Sequence, residues 1–190
     1  MKCVACGRTH WRNAKAAAGA VVVCDETVLL VRRAHDPWRD MWSAPAGFCD
    51  GLEHPIAAAE REAFEETGIR ASVTGFLGIW TDAYADAADI DDAELISVVY
   101  YYATPVGEAS GESDPAEVAE ARWFPWDDLP AALAPPGTLE QVLAAAREAW
   151  ESSRHPRSTT YARGPARSSR RRRLSQQFSE RRPLRSRRRP

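Results

Sequence analysis

The sequence predicts an α/β protein with a mixed sheet that is covered on both faces. Apolar segments typical of strands recur along the chain, for example at 16–24 and 95–106. Two helical patterns interrupt them, one between Pro55 and Gly68 and one at 137–150. Strands broken by two well-separated helices favour a sheet with helices packed on both sides. The chain has 190 residues, 44% of them hydrophobic, which is enough for one core of ordinary size.

The strands are predicted from their apolar runs and from the turns that bound them. Residues 16–24 and 28–33 are joined by Asp25-Glu26-Thr27, so we expect a hairpin. Further strands are predicted at 71–80, 95–106 and, for a short one, 121–124.

The first helix has clear end signals. Pro55 suits a first helical position, and Gly68 suits the position just past the end, where a positive φ is favoured. An apolar stripe at helical spacing is predicted to face the core, and it consists of Ile56, Ala59, Ala63 and Phe64. The second helix has Thr138 as its predicted N-cap.

Charge divides the chain into two different parts. Residues 152–190 contain fourteen arginines and one acid, whereas residues 1–151 contain 11 basic and 26 acidic residues. The arginine-rich part has almost nothing to bury and is predicted to be a disordered tail. Its arginines could bind nucleic acid non-specifically, although a solvated extension is the favoured interpretation. We therefore expect a segment at 1–13, a folded domain at 14–151 and the tail.

The sequence predicts a cytoplasmic protein without a membrane span. No apolar run approaches the roughly 18 residues that a span needs, and the N-terminus lacks a signal-peptide core. Four scattered cysteines favour a reducing compartment. The pair Cys3-x-x-Cys6 has the spacing of half a zinc ribbon, but zinc needs four ligands. His10 is a candidate third ligand and a fourth is missing, so Zn²⁺ at Cys3 and Cys6 is not expected.

An acidic face on the first helix is the strongest functional signal. Glu62, Glu65 and Glu66 stand at i, i+3 and i+4, on one side of the helix. Carboxylates that converge in this way raise one another's pKa unless a cation lies among them. Magnesium prefers a few carboxylates together with substrate phosphates and water. The simplest function of this face is to hold Mg²⁺ against a phosphate-bearing substrate.

Residues before and on the helix are expected to complete this site. Gly47 allows the backbone to come close, and its carbonyl is a candidate metal ligand. Arg61 precedes Glu65 by four residues and can hold a carboxylate in place. Glu53 can pair with Arg61 if the loop folds back.

These residues resemble the Nudix box. Gly47, five residues, Glu53, seven residues and then Arg-Glu-Ala-Phe-Glu-Glu-Thr-Gly-Ile at 61–69 contain all seven fixed positions of that motif. The resemblance implies an α/β/α sandwich over about residues 14–150. It also implies hydrolysis, dependent on Mg²⁺ or Mn²⁺, of a nucleoside diphosphate linked to another group. The segment at 1–13 looks like the remnant of a zinc ribbon that precedes some Nudix domains.

The resemblance also implies roles for individual residues. The expected metal site comprises Gly47, Glu62, Glu65, Glu66 and Glu117. The expected catalytic set comprises Glu62, Glu65, Arg61 and Glu53. By resemblance to some members of the family, Glu62 would be the general base. Other members use a later loop glutamate, for which Glu117 is the candidate here. Arg61 and Glu53 would form the supporting pair.

The sequence leaves the substrate and the partners open. ADP-ribose, sugar nucleotides and dinucleotides all fit the motif. The alternative to an enzyme is a catalytically silent module that binds a nucleotide, or RNA through the basic tail. Many Nudix proteins dimerise by exchanging N-terminal strands, so a homodimer is a further expectation.

Overall fold

Seven strands and two helices make up the described part of the chain, which in this computed structural model comprises residues 2–9, 11, 13–84, 94–107 and 116–154. The strands are β1 (Lys15–Cys24), β2 (Thr27–Arg33), β3 (Trp42–Ser43), β4 (Ala46–Phe48), β5 (Ala71–Tyr84), β6 (Glu94–Pro105) and β7 (Val118–Pro125). The helices are α1 (Pro55–Thr67) and α2 (Thr138–Arg154). His10 and the tail beyond Arg154 lie outside the described residues.

The sheet is mixed, as predicted, and β1 is its central strand. β1 pairs in parallel with β6, and β6 pairs antiparallel with the long strand β5. On its other edge β1 pairs antiparallel first with β4 and then, at its end, with β2. The hairpin of β1 and β2 is therefore confirmed. β2 continues the sheet by pairing with both β3 and β7.

Both faces of β1 are buried because successive side chains point to opposite sides of a strand. Ala18, Ala20 and Val22 belong to the cluster that contains α1, whereas Val21 and Val23 belong to the cluster that contains α2. One helix thus covers each face of the sheet. The α/β/α sandwich expected from the sequence is confirmed.

The ends of α1 are also those that the sequence predicts. Pro55 is the first helical residue, and the Nδ1 atom of His54 accepts a hydrogen bond from the backbone N–H of Ile56 at 3.2 Å. Gly68 ends the helix with a φ of 69°, and its N–H donates to the Phe64 carbonyl at 2.7 Å. A residue with a Cβ would be strained in that conformation.

The predicted apolar stripe of α1 is only half right. Ala59 and Ala63 are fully buried, but Ile56 is 37% exposed and Phe64 lies partly exposed beneath the guanidinium of Arg70. The buried face consists instead of Ala58, Ala59, Glu62 and Ala63. Small side chains let the helix approach the alanines of β1, and this close approach turns the larger apolar residues outward.

The start of α2 differs from the prediction as well. Thr138 is the first residue of the helix, and its hydroxyl donates to the Asp82 carboxylate at 2.8 Å. At its other end α2 continues to Arg154, three residues into the region that composition assigns to the tail. Neither described helix is long and apolar enough to cross a membrane.

The contact between α1 and β1 predicts that Ala59→Leu destabilises the protein by about 1–3 kcal/mol, because extra methyl groups overpack a tight interface. Ala57 lies on the exposed side of the same helix. Ala57→Leu should therefore change the free energy of unfolding by less than about 0.5 kcal/mol. Urea unfolding of the two variants measures the difference. Equal effects would contradict the close helix–sheet contact.

Candidate active site

Three glutamates from two parts of the chain converge beside β4. Glu62 and Glu66 lie one turn apart on α1, and Glu117 lies in the turn before β7. One carboxylate oxygen from each of the three lies within 4.8 Å of the others. Glu62 is buried, Glu66 is half-buried and Glu117 is exposed. The pairing of the strands thus brings Glu117 next to α1, although the two are far apart in the sequence.

Glu65 lies beside this group without joining it. Its side chain is 50% exposed, and its Oε2 atom accepts a hydrogen bond from Nη1 of Arg61 at 2.8 Å. It lines the same cavity as Glu62, Glu66 and Glu117. The structure therefore places all four predicted glutamates on one cavity, three of them in mutual contact range.

Arg61 connects the acidic helix to the loop before it. Its Nε and Nη2 atoms donate to the two oxygens of Glu53 at 3.0 and 2.9 Å, the two-pronged geometry that suits a guanidinium. Nη2 also donates to the Phe48 carbonyl at 3.1 Å, and Nη1 donates to Glu62 at 2.8 Å. The hydrogen bond from Arg61 is the main reason that the pKa of Glu53 falls to about 2. The loop does fold back to pair these two residues.

The electrostatics of the site disfavour negative charge in the absence of a cation. The pKa of Glu66 is raised to about 8, first by burial and then by the charge of Glu62, while the Ala46 N–H, which donates to Glu66 at 3.1 Å, acts against this. Burial also raises the pKa of Glu62, although Arg61 acts against the shift. A cation bound among these oxygens would relieve both penalties.

Gly47 is required by the close passage of β4 over Glu62. A Cβ built at Gly47 would overlap the Glu62 carboxylate. Gly47 also lines the cavity that contains the glutamates. A glycine at this position lets the backbone reach the carboxylate, which is the close approach expected from the sequence.

His35, which no sequence pattern singles out, lines the same cavity. The Nε2 atom of His35 is in hydrogen-bond contact with the Ala116 carbonyl, and the Ala34 N–H donates to the Glu117 carbonyl at 3.2 Å. These contacts hold the turn that carries Glu117 against the end of β2. No spacing pattern links His35 to the glutamate motif, so only the fold reveals this contact.

A second, more apolar cleft adjoins the acidic cavity. The two share the side chains or backbone of Arg33, Ala46, Gly47 and Phe48. A mixed sheet between two helices, one of which turns carboxylates toward a cavity, makes this an α/β/α sandwich protein with an acidic site.

Comparison with known proteins identifies the family. A model of the NUDIX domain matches residues 14–144. The chain therefore belongs to the Nudix family.

Three relatives of known name match this chain over part of their length. An ADP-ribose pyrophosphatase of Methanocaldococcus jannaschii is 28% identical over 114 residues, which is 60% of this chain and 63% of that protein. A CMP-5'-(N-acetyl-N-hydroxy-3-aminopropyl)phosphonate hydrolase of Streptomyces rubellomurinus is 31% identical over 121 residues, 63% of this chain and 55% of that protein. The NAD-capped RNA hydrolase NudC of Haemophilus influenzae is 26% identical over 133 residues, 64% of this chain and 47% of its own. The chain thus spans about half to three-fifths of these relatives.

Solved structures show the same fold. The MutT NUDIX hydrolase of Burkholderia pseudomallei superposes with a TM-score of 0.60 at 26% identity, covering 70% of this chain and 98% of that one. A NUDIX hydrolase of Nitrosomonas europaea gives a TM-score of 0.63 at 22% identity, with coverage of 79% and 80%.

The raised pKa of Glu66 predicts that the metal-free protein loses stability as the pH rises from about 5 to about 8. Across this range the folded carboxyl holds its proton more tightly than the unfolded one, so each step of deprotonation favours unfolding. Glu66→Gln removes this titration, and its free energy of unfolding should decline less over the same range. Urea unfolding in EDTA at several pH values measures it.

A matched control for this measurement is Glu148→Gln, which changes an exposed glutamate of α2. It should decline with pH as the wild type does. If the free energy of unfolding of Glu66→Gln declines with pH as steeply as that of the wild type, the raised pKa assigned to Glu66 is wrong.

Proposed function

We propose that this protein is a pyrophosphohydrolase that uses a divalent metal to cleave the P–O–P linkage of a nucleoside diphosphate derivative. The observation that carries the proposal is the approach of the Glu62, Glu66 and Glu117 carboxylates to within 4.8 Å of one another. Two of these groups have raised pKa values because of burial. Membership of the Nudix family supports the same activity.

The donor set fits Mg²⁺ or Mn²⁺. All the converging donors are carboxylate oxygens, which hard divalent cations prefer, and the exposed side of Glu117 leaves room for substrate phosphate and water. When bound, such an ion would neutralise charge on the phosphate oxygens and lower the pKa of an attacking water. Glu62, Glu66 and Glu117 would hold it, with Glu65 and the Gly47 carbonyl as further ligands lining the same cavity.

The remaining residues would orient this set and move the proton. Arg61, fixed by Glu53, holds Glu62 in place through its Nη1 atom. Glu62 and Glu117 are the two candidates for the base that takes the proton of the attacking water. Glu62 is buried and restrained by Arg61, whereas Glu117 lies at the open side of the cavity.

The relatives support a nucleotide-linked substrate without choosing one. Their names refer to ADP-ribose, to NAD-capped RNA and to a CMP-linked phosphonate. We therefore propose a nucleoside diphosphate derivative of the ADP-ribose, sugar-nucleotide or dinucleotide type. Four expectations stay predictions: the domain boundary at residue 151, the cytoplasmic location, the homodimer and the absence of zinc at Cys3 and Cys6.

The proposal predicts that Glu66→Gln lowers kcat by at least about a hundredfold on any accepted substrate, because an amide weakens both metal binding and activation of water. Product release from a panel of nucleoside diphosphate derivatives with Mg²⁺ measures this. Glu65→Gln should lower turnover less, since Glu65 lies outside the converging group, and Glu148→Gln should match the wild type. EDTA should abolish turnover. If neither Glu65→Gln nor Glu66→Gln differs from the wild type on any substrate, the result favours the alternative, a catalytically silent binding module.

A second prediction concerns Gly47→Ala, whose methyl group would displace the Glu62 carboxylate. We expect at least about a tenfold loss of Mn²⁺ affinity, followed by electron paramagnetic resonance, with little change in unfolding free energy because only the end of a side chain must move. Gly75→Ala is the matched control, since its Cβ would meet the Tyr102 Cβ at an ordinary 3.6 Å. Unchanged Mn²⁺ affinity in Gly47→Ala would contradict the placement of Glu62 at the metal.

A further inference from the structure

The cleft beside the acidic cavity has the features of a pocket for a planar ring. Its apolar wall includes Ile96 and Val98 of β6 and Ala17 of β1, and Trp80 of β5 also lines it. It opens onto the acidic cavity along Gly47 and Phe48, which line both spaces. A ligand with phosphates at the glutamates would therefore extend into this cleft.

Trp80 is held in the cleft by its neighbours. Its ring lies over Gly78, where an added Cβ would be 2.7 Å from the ring atom Cη2. The edge of Tyr100 packs against it with the ring centres 5.8 Å apart at an angle of 72°. A tryptophan fixed in this way offers a preformed surface for stacking, since little side-chain entropy remains to be lost on binding.

Asp82 places a carboxylate in this largely apolar cleft, whose lining also includes Arg33, Ser43 and Thr138. Its Oδ2 atom accepts from the Thr138 hydroxyl at 2.8 Å, and its Oδ1 atom accepts from the Ala83 N–H at 2.8 Å. A carboxylate has about four acceptor positions. Two donors among the described residues thus orient the group and leave further acceptor positions for a ligand.

Asp82 and Glu66 both lie close enough to one tyrosine to influence it. Tyr100 is buried, and its pKa is raised by burial first and then by the negative charges of Glu66 and Asp82. Both carboxylates are therefore near the same phenol. Because Gly47 and Phe48 line both spaces, one nucleotide has a continuous path from Glu66, for its phosphates, to Asp82, for its base.

We propose that the cleft binds the base of the substrate and that Asp82 selects a nucleobase carrying an exocyclic amino group. The proposal rests on the proposed function. An amino group donates to the carboxylate, whereas a carbonyl oxygen at the same place would face it and repel it. A site built around one hydrogen-bonding partner discriminates strongly against an analogue that lacks it.

The competing explanation for Asp82 is purely structural. Its bond to Thr138 ties β5 to the start of α2, and a carboxylate used only for this purpose would be indifferent to the base. Asn at this position keeps an acceptor oxygen for the Ala83 N–H, and its NH₂ group donates to the Thr138 hydroxyl oxygen, which preserves the tie. Asp82→Asn separates the two roles because it replaces the second acceptor by a donor.

The experiment compares AMP and GMP with IMP, which lacks both amino groups. Binding to the full-length protein is measured with Mg²⁺ by isothermal titration calorimetry. A nucleoside monophosphate has no P–O–P linkage to cleave, so the result does not depend on turnover. We expect AMP or GMP to bind the wild type at least about tenfold more tightly than IMP, a difference of about 1.4 kcal/mol. In Asp82→Asn this preference should fall to about twofold or less.

Two controls keep the outcomes distinct. Asp127→Asn changes an exposed aspartate that pairs with Arg147 outside the cleft, and it should keep the wild-type preference. Circular dichroism and thermal unfolding check that Asp82→Asn is folded; if it is not, the wild-type comparison alone decides. Equal binding of IMP, AMP and GMP by the wild type would overturn the proposal, as would an unchanged preference in a folded Asp82→Asn. Loss of turnover on every substrate with the binding preference intact would instead overturn the proposed hydrolysis alone.

Discussion

The contact between α1 and the centre of the sheet governs the geometry of the whole site. Alanines meet alanines there, with Ala58, Ala59 and Ala63 of the helix against Ala18 and Ala20 of β1. Side chains this small bring the two backbones close together. The same closeness draws Glu62 into a buried position beside β4, where only a glycine leaves space for its carboxylate. The packing of α1 against the sheet thus determines how deeply the Glu62 carboxylate is buried.

A buried acidic face needs compensation, and Arg61 supplies only part of it. Its guanidinium bonds to Glu53, Glu62 and Glu65, so most of its capacity is used to fix the helix to the loop. Glu66 receives no bond from it among the described contacts and keeps a pKa near 8. The folded chain therefore stores unfavourable electrostatic energy on the side of the helix that faces the cavity. Such stored energy is typical of functional sites, where stability is sacrificed for affinity toward a ligand.

The sequence predicts this site to the extent that its residues lie close along the chain. Helical spacing places Glu62 and Glu66 on one face, and end signals fix Pro55 and Gly68, so this part needs no tertiary information. The orientation of the helix was less predictable, because Ile56 and Phe64 are apolar but lose their place to alanines that fit the sheet.

Contacts between distant parts of the chain could not be predicted from the periodicity of the sequence. Glu117 reaches the glutamates only because β7 pairs with β2, and the family resemblance rather than the spacing pointed to it. His35 and the bond between Asp82 and Thr138 carry no local signal at all. The central strand β1 pairs with β4 on one edge and with β6 on the other. The glutamates near Gly47 and the cleft near Tyr100 are therefore supported by the same strand. A ligand that bridges the two would therefore contact residues that are positioned by one sheet.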